Sequence, residues 1–196
     1  MNRELNHLLS ALEQFGREND ARETDRQRKM LNLDRDTAAL VHILVAAGNR
    51  RGVLEIGTSN GYSTLWLSHA LQSSPIARIT SIELDATKIE MARENLQRAG
   101  LGDRVALMHG DASEIVKTLS GPFDCVLFDA DRISAPGQLH TLLPKLAPNV
   151  VLLCDNVLSH PREVADYLSA VGRLSDFVSL TVPVGKGLHI ALRNSP

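Results

Sequence analysis

The most constraining feature of the chain is a change of rhythm at residue 52. From there, short apolar and β-branched runs recur at 53–56 (VLEI), 78–84 (RITSIEL), 104–108 (RVALM), 124–128 (DCVLF), 150–154 (VVLLC), 177–182 and 188–192. Helix-like segments lie between the first five, at 62–71, 86–99, 112–119 and 137–146, and another follows at 161–172. Strands alternating with helices predict a parallel sheet covered on both faces. The last two runs are joined by about four residues, too few for a crossover, so they must pair as an antiparallel hairpin at one edge. The expected fold is α/β: seven strands, mostly parallel, with one strand reversed.

Ahead of this pattern, residues 3–18 place Leu5, Leu8, Leu9, Leu12 and Phe15 three and four apart, which predicts one face of a helix. Residues 17–36 carry twelve charges, six of each sign. They read as a solvated connector, with a substrate-side lid as the alternative. A second helix is expected over 35–47, with Leu40, Ile43, Leu44 and Ala47 inward. A chain of 196 residues fits one domain, taken as an N-terminal helical extension (1–34) and an α/β core (35–196).

Composition narrows the function. Apolar residues make up 43% and charged residues 22%, which excludes disorder. The net charge of −2 and 4% aromatics give no bulk signal for nucleic acid and no stacking platform for single strands. No apolar run approaches the ~20 residues that span a bilayer. The charged N-terminus has no signal-peptide core. Cys125 and Cys154 sit inside apolar runs and read as buried free thiols. A cytoplasmic location follows as an expectation.

In open α/β sheets a ligand lies beyond the carboxyl ends of the strands, which makes the residues ending each strand the candidates. The first runs into LEIGTSNGYS (54–63), where Glu55 precedes Gly57 and Gly61. Two glycines at a strand-to-helix turn let backbone approach a ligand, and the helix start offers N–H donors. The spacing is neither the dinucleotide fingerprint nor a P-loop, because no Lys-Ser/Thr follows Gly61. The second strand ends at Glu83, about twenty positions on, where a carboxylate can accept from a ribose diol. The third ends at Asp111-Ala112, suited to an adenine amino group or to capping the next helix. The fourth and fifth end at Asp129 and at Asp155-Asn156. Two carboxylates and an amide oxygen suit a hard octahedral cation, although loop carboxylates also simply cap helices.

These segments, with SIELD (81–85), HGDA (109–112), FDCVLFDAD (123–131), LLCDN (152–156) and VPVGKGL (182–188), resemble the class I S-adenosylmethionine-dependent methyltransferases. More narrowly they resemble the cation-dependent O-methyltransferases of the catechol and caffeoyl-CoA type and their bacterial relatives, over roughly residues 30–193. The resemblance implies a Rossmann-like methyltransferase fold with a reversed C-terminal strand and an S-adenosylmethionine cofactor. It places Glu55, Gly57, Gly61, Ser63, Glu83, Asp111, Ala112 and Asp129 at that cofactor. It makes Asp129, Asp155 and Asn156 the ligands of a divalent cation, Mg²⁺ by preference, with Asp129 and Arg132 catalytic. The acceptor is expected to be a small hydroxylated molecule, catechol-like or phenolic, with a hydroxylated tRNA base as the alternative and a homodimer as the assembly.

Several features depart from the resemblance. The family's lysine, three residues after the first metal aspartate, often acts as base; here it is Arg132, which stays protonated and can only hold an oxyanion by charge. Asp131 or a water is left to take the proton. The loop 133–138 lacks the aromatics many relatives show there, and Asn149 follows Pro148 where relatives often have glycine. Trp66 reads as core, His160 as the start of a surface helix, and Lys186 as solvated. Two rival classes remain. A nicotinamide oxidoreductase of the short-chain type needs Tyr-x-x-x-Lys, but Tyr62 is followed four later by Trp66, and Tyr167 by Val171. A non-catalytic nucleoside-binding protein would have no need of the three oxygen ligands.

Overall fold

The strand rhythm folds as its period demands. In the computed structural model, which describes residues 1–194, successive side chains of the central strands drop into two apolar layers. On β1 (Gly52–Ile56), Val53 joins one layer and Leu54 and Ile56 the other. On β4 (Phe123–Phe128), Cys125 and Leu127 face one side, Val126 and Phe128 the opposite one. The first layer is closed by α1 (Arg3–Arg22), α2 (Arg35–Ala47), α3 (Tyr62–Ala70) and α4 (Ala86–Arg98). The second is closed by α5 (Ala112–Thr118), α6 (Ala135–Leu142) and α7 (Ala165–Gly172). Full burial of each such aliphatic side chain contributes ~1.5–3 kcal/mol.

The remaining strands are β2 (Arg78–Glu83), β3 (Val105–His109), β5 (Leu146–Cys154), β6 (Phe177–Val182) and β7 (Leu188–Arg193). Their order is β3-β2-β1-β4-β5-β7-β6. β7 runs antiparallel to both β5 and β6, so the C-terminal strand is the reversed one, as expected. The chain leaves β1 toward β2 and β3 and then returns to β4 on the other side of β1. The β1/β4 boundary is therefore the switch point at which α/β sheets open a crevice.

Several boundaries differ from the sequence reading. The first helix runs on to Arg22, and Phe15 on it is exposed while Gly16 is buried. On α2 the inward residues are Thr37, Ala38, Val41 and Val45, whereas Ile43 is 58% exposed. Both stripes of that helix are apolar, so periodicity alone could not choose between them. The segment expected to be helical to residue 146 turns to 3-10 at Leu143–Lys145, where Pro144 lacks the N–H that would continue an α-helix. β5 then starts early, with a register break against β4. Helix α7 begins only at Ala165, so His160 lies in an irregular turn and not at a helix start.

The charged connector is tied down. The Asp20 carboxylate accepts from the N–H groups of Met30 (2.7 Å) and Leu31 (2.9 Å). The Lys88 ammonium donates to Lys29 O (2.7 Å) and the Ser59 hydroxyl to Met30 O (2.6 Å). Residues 29–34 thus cross the glycine loop as a strap, and α1 lies on the core through Leu5, Leu8, Leu9 and Leu12.

Gly57 sets the switch point. Its φ is +106°, and a Cβ there would collide with the Asp129 carbonyl and lie 3.2 Å from Ala130 Cβ. Gly57→Ala is expected to lower unfolding free energy by about 2 kcal/mol or more, from left-handed strain and the displaced strand end. Urea denaturation measures this, and a loss under 0.5 kcal/mol, about the spread of ordinary surface changes, contradicts the tight approach.

Candidate active site

Four of the five parallel strands carry further backbone bonding past their ends. Gly57 N–H donates to Ile82 O (2.9 Å), Gly110 N–H to Glu83 O (2.9 Å), Asp129 N–H to Ile56 O (2.9 Å) and Asp155 N–H to Phe128 O (3.2 Å). The strand ends are thereby fixed along one edge of the sheet, with Glu83 as the last residue of β2 and Asp111, Asp129, Asp155 and Asn156 just beyond β3, β4 and β5.

On the β1–β3 side, Glu83 is half-buried and both its oxygens are engaged by backbone. Oε2 accepts from Ser59 N–H (2.8 Å) and Oε1 from Asp85 N–H (3.0 Å). The carboxylate is held still, with lone pairs left on both oxygens. Gly61 precedes α3 with φ +85°, packed against Ala92 of α4. Ser59 is left-handed (φ +48°) without being glycine, the kind of strained residue that clusters at binding loops. Asp111 caps α5, accepting from Ser113 N–H (2.7 Å), with Ala112 as the first helical residue.

Glu55 sits beneath this loop, wholly buried. Its Oε2 accepts from the hydroxyls of Thr64 and Ser81 (both 2.5 Å), while Oε1 has no partner. The Ser63 hydroxyl bears on the same carboxylate. The structure therefore groups Glu55 and Ser63 with the loop's underside. Burial pushes the Glu55 carboxyl from its ordinary 4.5 up to about 6, against the pull of the hydroxyls.

On the β4–β5 side, Asp129, Asp155 and Asn156 come together. The Asn156 amide donates to Asp129 Oδ1 (3.4 Å), and Asn156 holds a left-handed φ of +67°. Asp155 is 4% exposed, and its Oδ1 is buried without a partner. Burial pushes Asp155 up to about 6, opposed by the Asn156 N–H and by the charges of Lys186 and Arg132, while Asp34 pushes it further up. Asp129 is raised well above the carboxylate range, first by burial, then by the charges of Asp155 and Glu55. Among the described residues no three His, Cys, Asp or Glu side chains gather as a metal cluster. The donor set is two mutually repelling carboxylates and one amide oxygen. A buried, unpartnered carboxylate oxygen in such a set fits a divalent cation.

The surface beyond β4 and β5 also draws in Glu163 and Asp34, which the sequence alone does not place. Arg132 is buried (8% exposed), with Nε 2.9 Å from Glu163 Oε2 and Nη2 unpartnered. Asp131 is tied to the Ser134 hydroxyl and to the N–H groups of Ile133 and Ser134. Burial would raise its pKa, but these bonds outweigh it and hold the carboxyl below its ordinary value, which makes Asp131 a poor base. The turn at residues 183–187 is clamped beside Asn156, because Leu158 and Ser159 donate their N–H groups to Lys186 O (3.0 and 3.2 Å). Lys186 is exposed, and its charge bears on both Asp129 and Asp155. Asp34, at the start of α2, makes no capping bond and lies against Gly185. Only the charge pattern of residues 17–36 hinted at this, since the contact joins segments about 150 residues apart. Trp66 is core, and both cysteines are buried and free.

The sequence profile of the O-methyltransferase family matches residues 7–171. The chain belongs to that family. It is 38% identical over 117 residues to a catechol O-methyltransferase of Mycobacterium tuberculosis, a match covering 59% of this chain and 52% of that protein. It is 31% identical over 122 residues to a catechol O-methyltransferase of Niastella koreensis, covering 60% and 54%. The matches thus span about half the length of these curated relatives. Among solved structures, the O-methyltransferase TomG of Streptomyces achromogenes, in complex with SAM, superposes with a TM-score of 0.80 at 26% identity, covering all of this chain and 91% of that one. A methyltransferase from Geobacter sulfurreducens gives 0.81 at 28%, covering 96% and 89%. Among the described residues of this O-methyltransferase family member, no helix is long and apolar enough to cross a membrane.

Glu55 makes stability depend on pH. A carboxyl whose folded pKa is raised stabilises the fold when protonated, so its contribution is complete below about 4.5 and is lost as pH rises through about 6. The loss is on the order of 2 kcal/mol. Glu55→Gln is expected to flatten this part of the stability–pH curve, measured by urea denaturation with EDTA present. Superimposable slopes for the two proteins between pH 4.5 and 6.5, a window set from the titration range, would contradict the buried acid.

Proposed function

We propose that the protein is an S-adenosylmethionine-dependent O-methyltransferase. Its acceptor is a hydroxyl of a small catechol-like or phenolic molecule, and a divalent cation, Mg²⁺ by preference, sits at Asp129, Asp155 and Asn156. The observation that carries this reading is the meeting of those three side chains beside the glycine loop at the β1/β4 switch. Cofactor-bound structural relatives and the catechol O-methyltransferase matches support it.

The reaction is an in-line displacement. The acceptor oxygen attacks the sulfonium methyl, the carbon–sulfur bond breaks, and the electron pair stays on sulfur. The protein's part is to bring oxygen and methyl together in line. Glu83 receives the ribose hydroxyls, and the backbone around Gly57 and Gly61 passes under the methionine portion. Ser63 sits at its carboxylate, and Asp111 and Ala112 border the adenine. Glu55 supports the loop from below through the hydroxyls. A bound cation supplies Lewis acidity that lowers the acceptor's hydroxyl pKa. Arg132 acts as a fixed positive charge and not as a base, and the acceptor proton passes to water. A homodimer and a cytoplasmic location belong to the same reading. The exposed Val178, Leu180 and Leu192 on the hairpin edge offer an apolar surface for the former.

Two outcomes test this function. Glu83→Ala is expected to weaken S-adenosylmethionine binding by about tenfold or more by calorimetry, since each bond to a charged acceptor is worth ~1.5–3 kcal/mol. Unchanged affinity removes Glu83 from the site. EDTA is expected to abolish turnover and Mg²⁺ to restore it, while Asp155→Ala loses cation-dependent turnover yet still binds cofactor. Full activity of the stripped enzyme would sink the three-ligand assignment.

A further inference from the structure

A pair of metal-seeking side chains lies away from the strand ends, on two helices that cover the first apolar layer. His42 stands in the second half of α2 and His69 in the last turn of α3. Their rings meet across the helix pair. His42 Nε2 lies 2.8 Å from His69 Nδ1, with ring centroids 5.1 Å apart and planes tilted by 30°. Both side chains are half-buried. Among the described residues neither ring forms an ion pair, and no carboxylate stands between them. His42 also packs edge-on against Trp66, centroids 5.8 Å apart. Trp66 is the one tryptophan of the chain.

Two imidazoles set against each other need opposite tautomers, one donating and one accepting. A second proton would place two positive charges at hydrogen-bond distance. Burial, and after it the positive charge of the amino terminus, holds both rings below the ordinary histidine value. At neutral pH the pair is therefore uncharged, the form in which imidazole binds metal. The spacing suits a single ion. Two metal–nitrogen bonds of ~2.0–2.1 Å end ~2.9 Å apart when they meet at a right angle and ~3.3 Å apart at the tetrahedral angle. The observed 2.8 Å is close to the first, so small opposed rotations of two half-exposed rings bring both lone pairs onto one ion. Local electrostatics agree. His69 ends α3, where the carbonyls of the last turn carry partial negative charge. The neighbouring Arg35, stacked on Trp66, is already paired with Glu13 at 2.7 Å.

We propose that His42 Nε2 and His69 Nδ1 bind one transition-metal ion of the Cu²⁺, Ni²⁺ and Zn²⁺ class, at a site separate from Asp129, Asp155 and Asn156. Imidazole nitrogen selects such ions, whereas Mg²⁺ keeps to oxygen. The proton between the rings moves to the outer nitrogen of its own ring, so both imidazoles stay neutral, and water completes the coordination. The ion joins α2 to α3. It thereby staples the two helices whose starts carry the strap at residues 29–34 and the glycine loop. The site stands whether or not the chain transfers methyl groups, because it shares no residue with that reading.

The test titrates Cu²⁺ into the untagged full chain with Mg²⁺ in excess, followed by calorimetry and by Trp66 fluorescence. A site filled by one ion per chain is expected, with quenching that saturates together with it, because the paramagnetic ion sits on a ring that touches the indole. His42→Ala and His69→Ala are each expected to weaken this site more than tenfold and to abolish the quenching, since losing a mere outer-shell partner of a metal already costs about 10–100-fold. His42→Gln and His69→Gln keep a hydrogen-bonding side chain between the helices and should lose the ion in the same way, so a misfolded alanine variant leaves the test intact. With Zn²⁺ about a hundredfold above its Kd, the Tm of the wild type should rise by about 5–10 °C and that of the glutamine variants should not. Cu²⁺ affinity and quenching unchanged in both glutamine variants overturn the proposal and leave the pair as a helix–helix hydrogen bond. Release of Cu²⁺ by Mg²⁺, or its loss in Asp155→Ala with the His42→Gln protein still binding, overturns it in favour of the carboxylates. One ion per two chains, with a matching gain in mass by light scattering, overturns it in favour of a contact between copies.

Discussion

The structure depends on the approach of two strand ends, that of β1 to that of β4. Each hands its chain to a helix on a different face, α3 toward one apolar layer and α6 toward the other. The two exits therefore diverge, and a crevice opens between them. Gly57 keeps the crevice narrow at its base, because its missing Cβ lets the Asp129 carbonyl lie against it. Asp129 is in turn bonded through its N–H to Ile56, the last residue of β1. The glycine loop and the Asp129 carboxylate are thus mechanically one unit, and the proposed reaction across the crevice inherits that rigidity.

Gathering Glu55, Asp129 and Asp155 at the end of one sheet opposes folding, since burial raises all three above the ordinary carboxylate range and like charges add to it, Glu83 on Glu55, Asp34 on Asp155, and Asp155 and Glu55 on Asp129. The fold tolerates this because the two apolar layers lie away from the strand ends and are complete without them. Local relief is also built in. Thr64, Ser81 and Ser63 bear on Glu55, and Lys186 and Arg132 offset Asp129 and Asp155. The relief is partial, since one oxygen on Glu55 and one on Asp155 stay unpartnered. A site left short of positive charge binds cationic groups with a gain in stability. In the proposed reaction the sulfonium and a divalent cation are both such groups.

Most of the architecture could be read from the sequence because it is written in period. A strand buried on both faces shows as a continuous apolar run, and all seven runs became strands in the anticipated arrangement. Period failed where it was degenerate. On α2 two apolar stripes compete, and packing on α3 selected Val41 and Val45 over Ile43. Strand ends were also legible, because the topology sends the residues that follow the parallel strands to one edge. What period cannot show is which distant loops lean on that edge. The strap at residues 29–34, the seat of Asp34 against Gly185 and the pairing of Arg132 with Glu163 are tertiary contacts between segments that carry no mutual signal.

Arg132 illustrates how one substitution redistributes roles. A lysine at that place would present a single ammonium able to shed a proton. The arginine instead spends Nε on Glu163 and so ties the end of β4 to the turn before α7. That bond explains why a charge can be nine-tenths buried there, since an unpaired guanidinium would not stay. It also fixes the plane of the fork, which aims the remaining nitrogen without allowing it to move. A fixed donor suits holding and orienting an anion and cannot follow a proton. The mobile positive charge of the site is therefore Lys186, exposed on a pinned backbone beside the same two aspartates. In the proposed reaction the fixed positive charge is Arg132 and the adaptable one is Lys186.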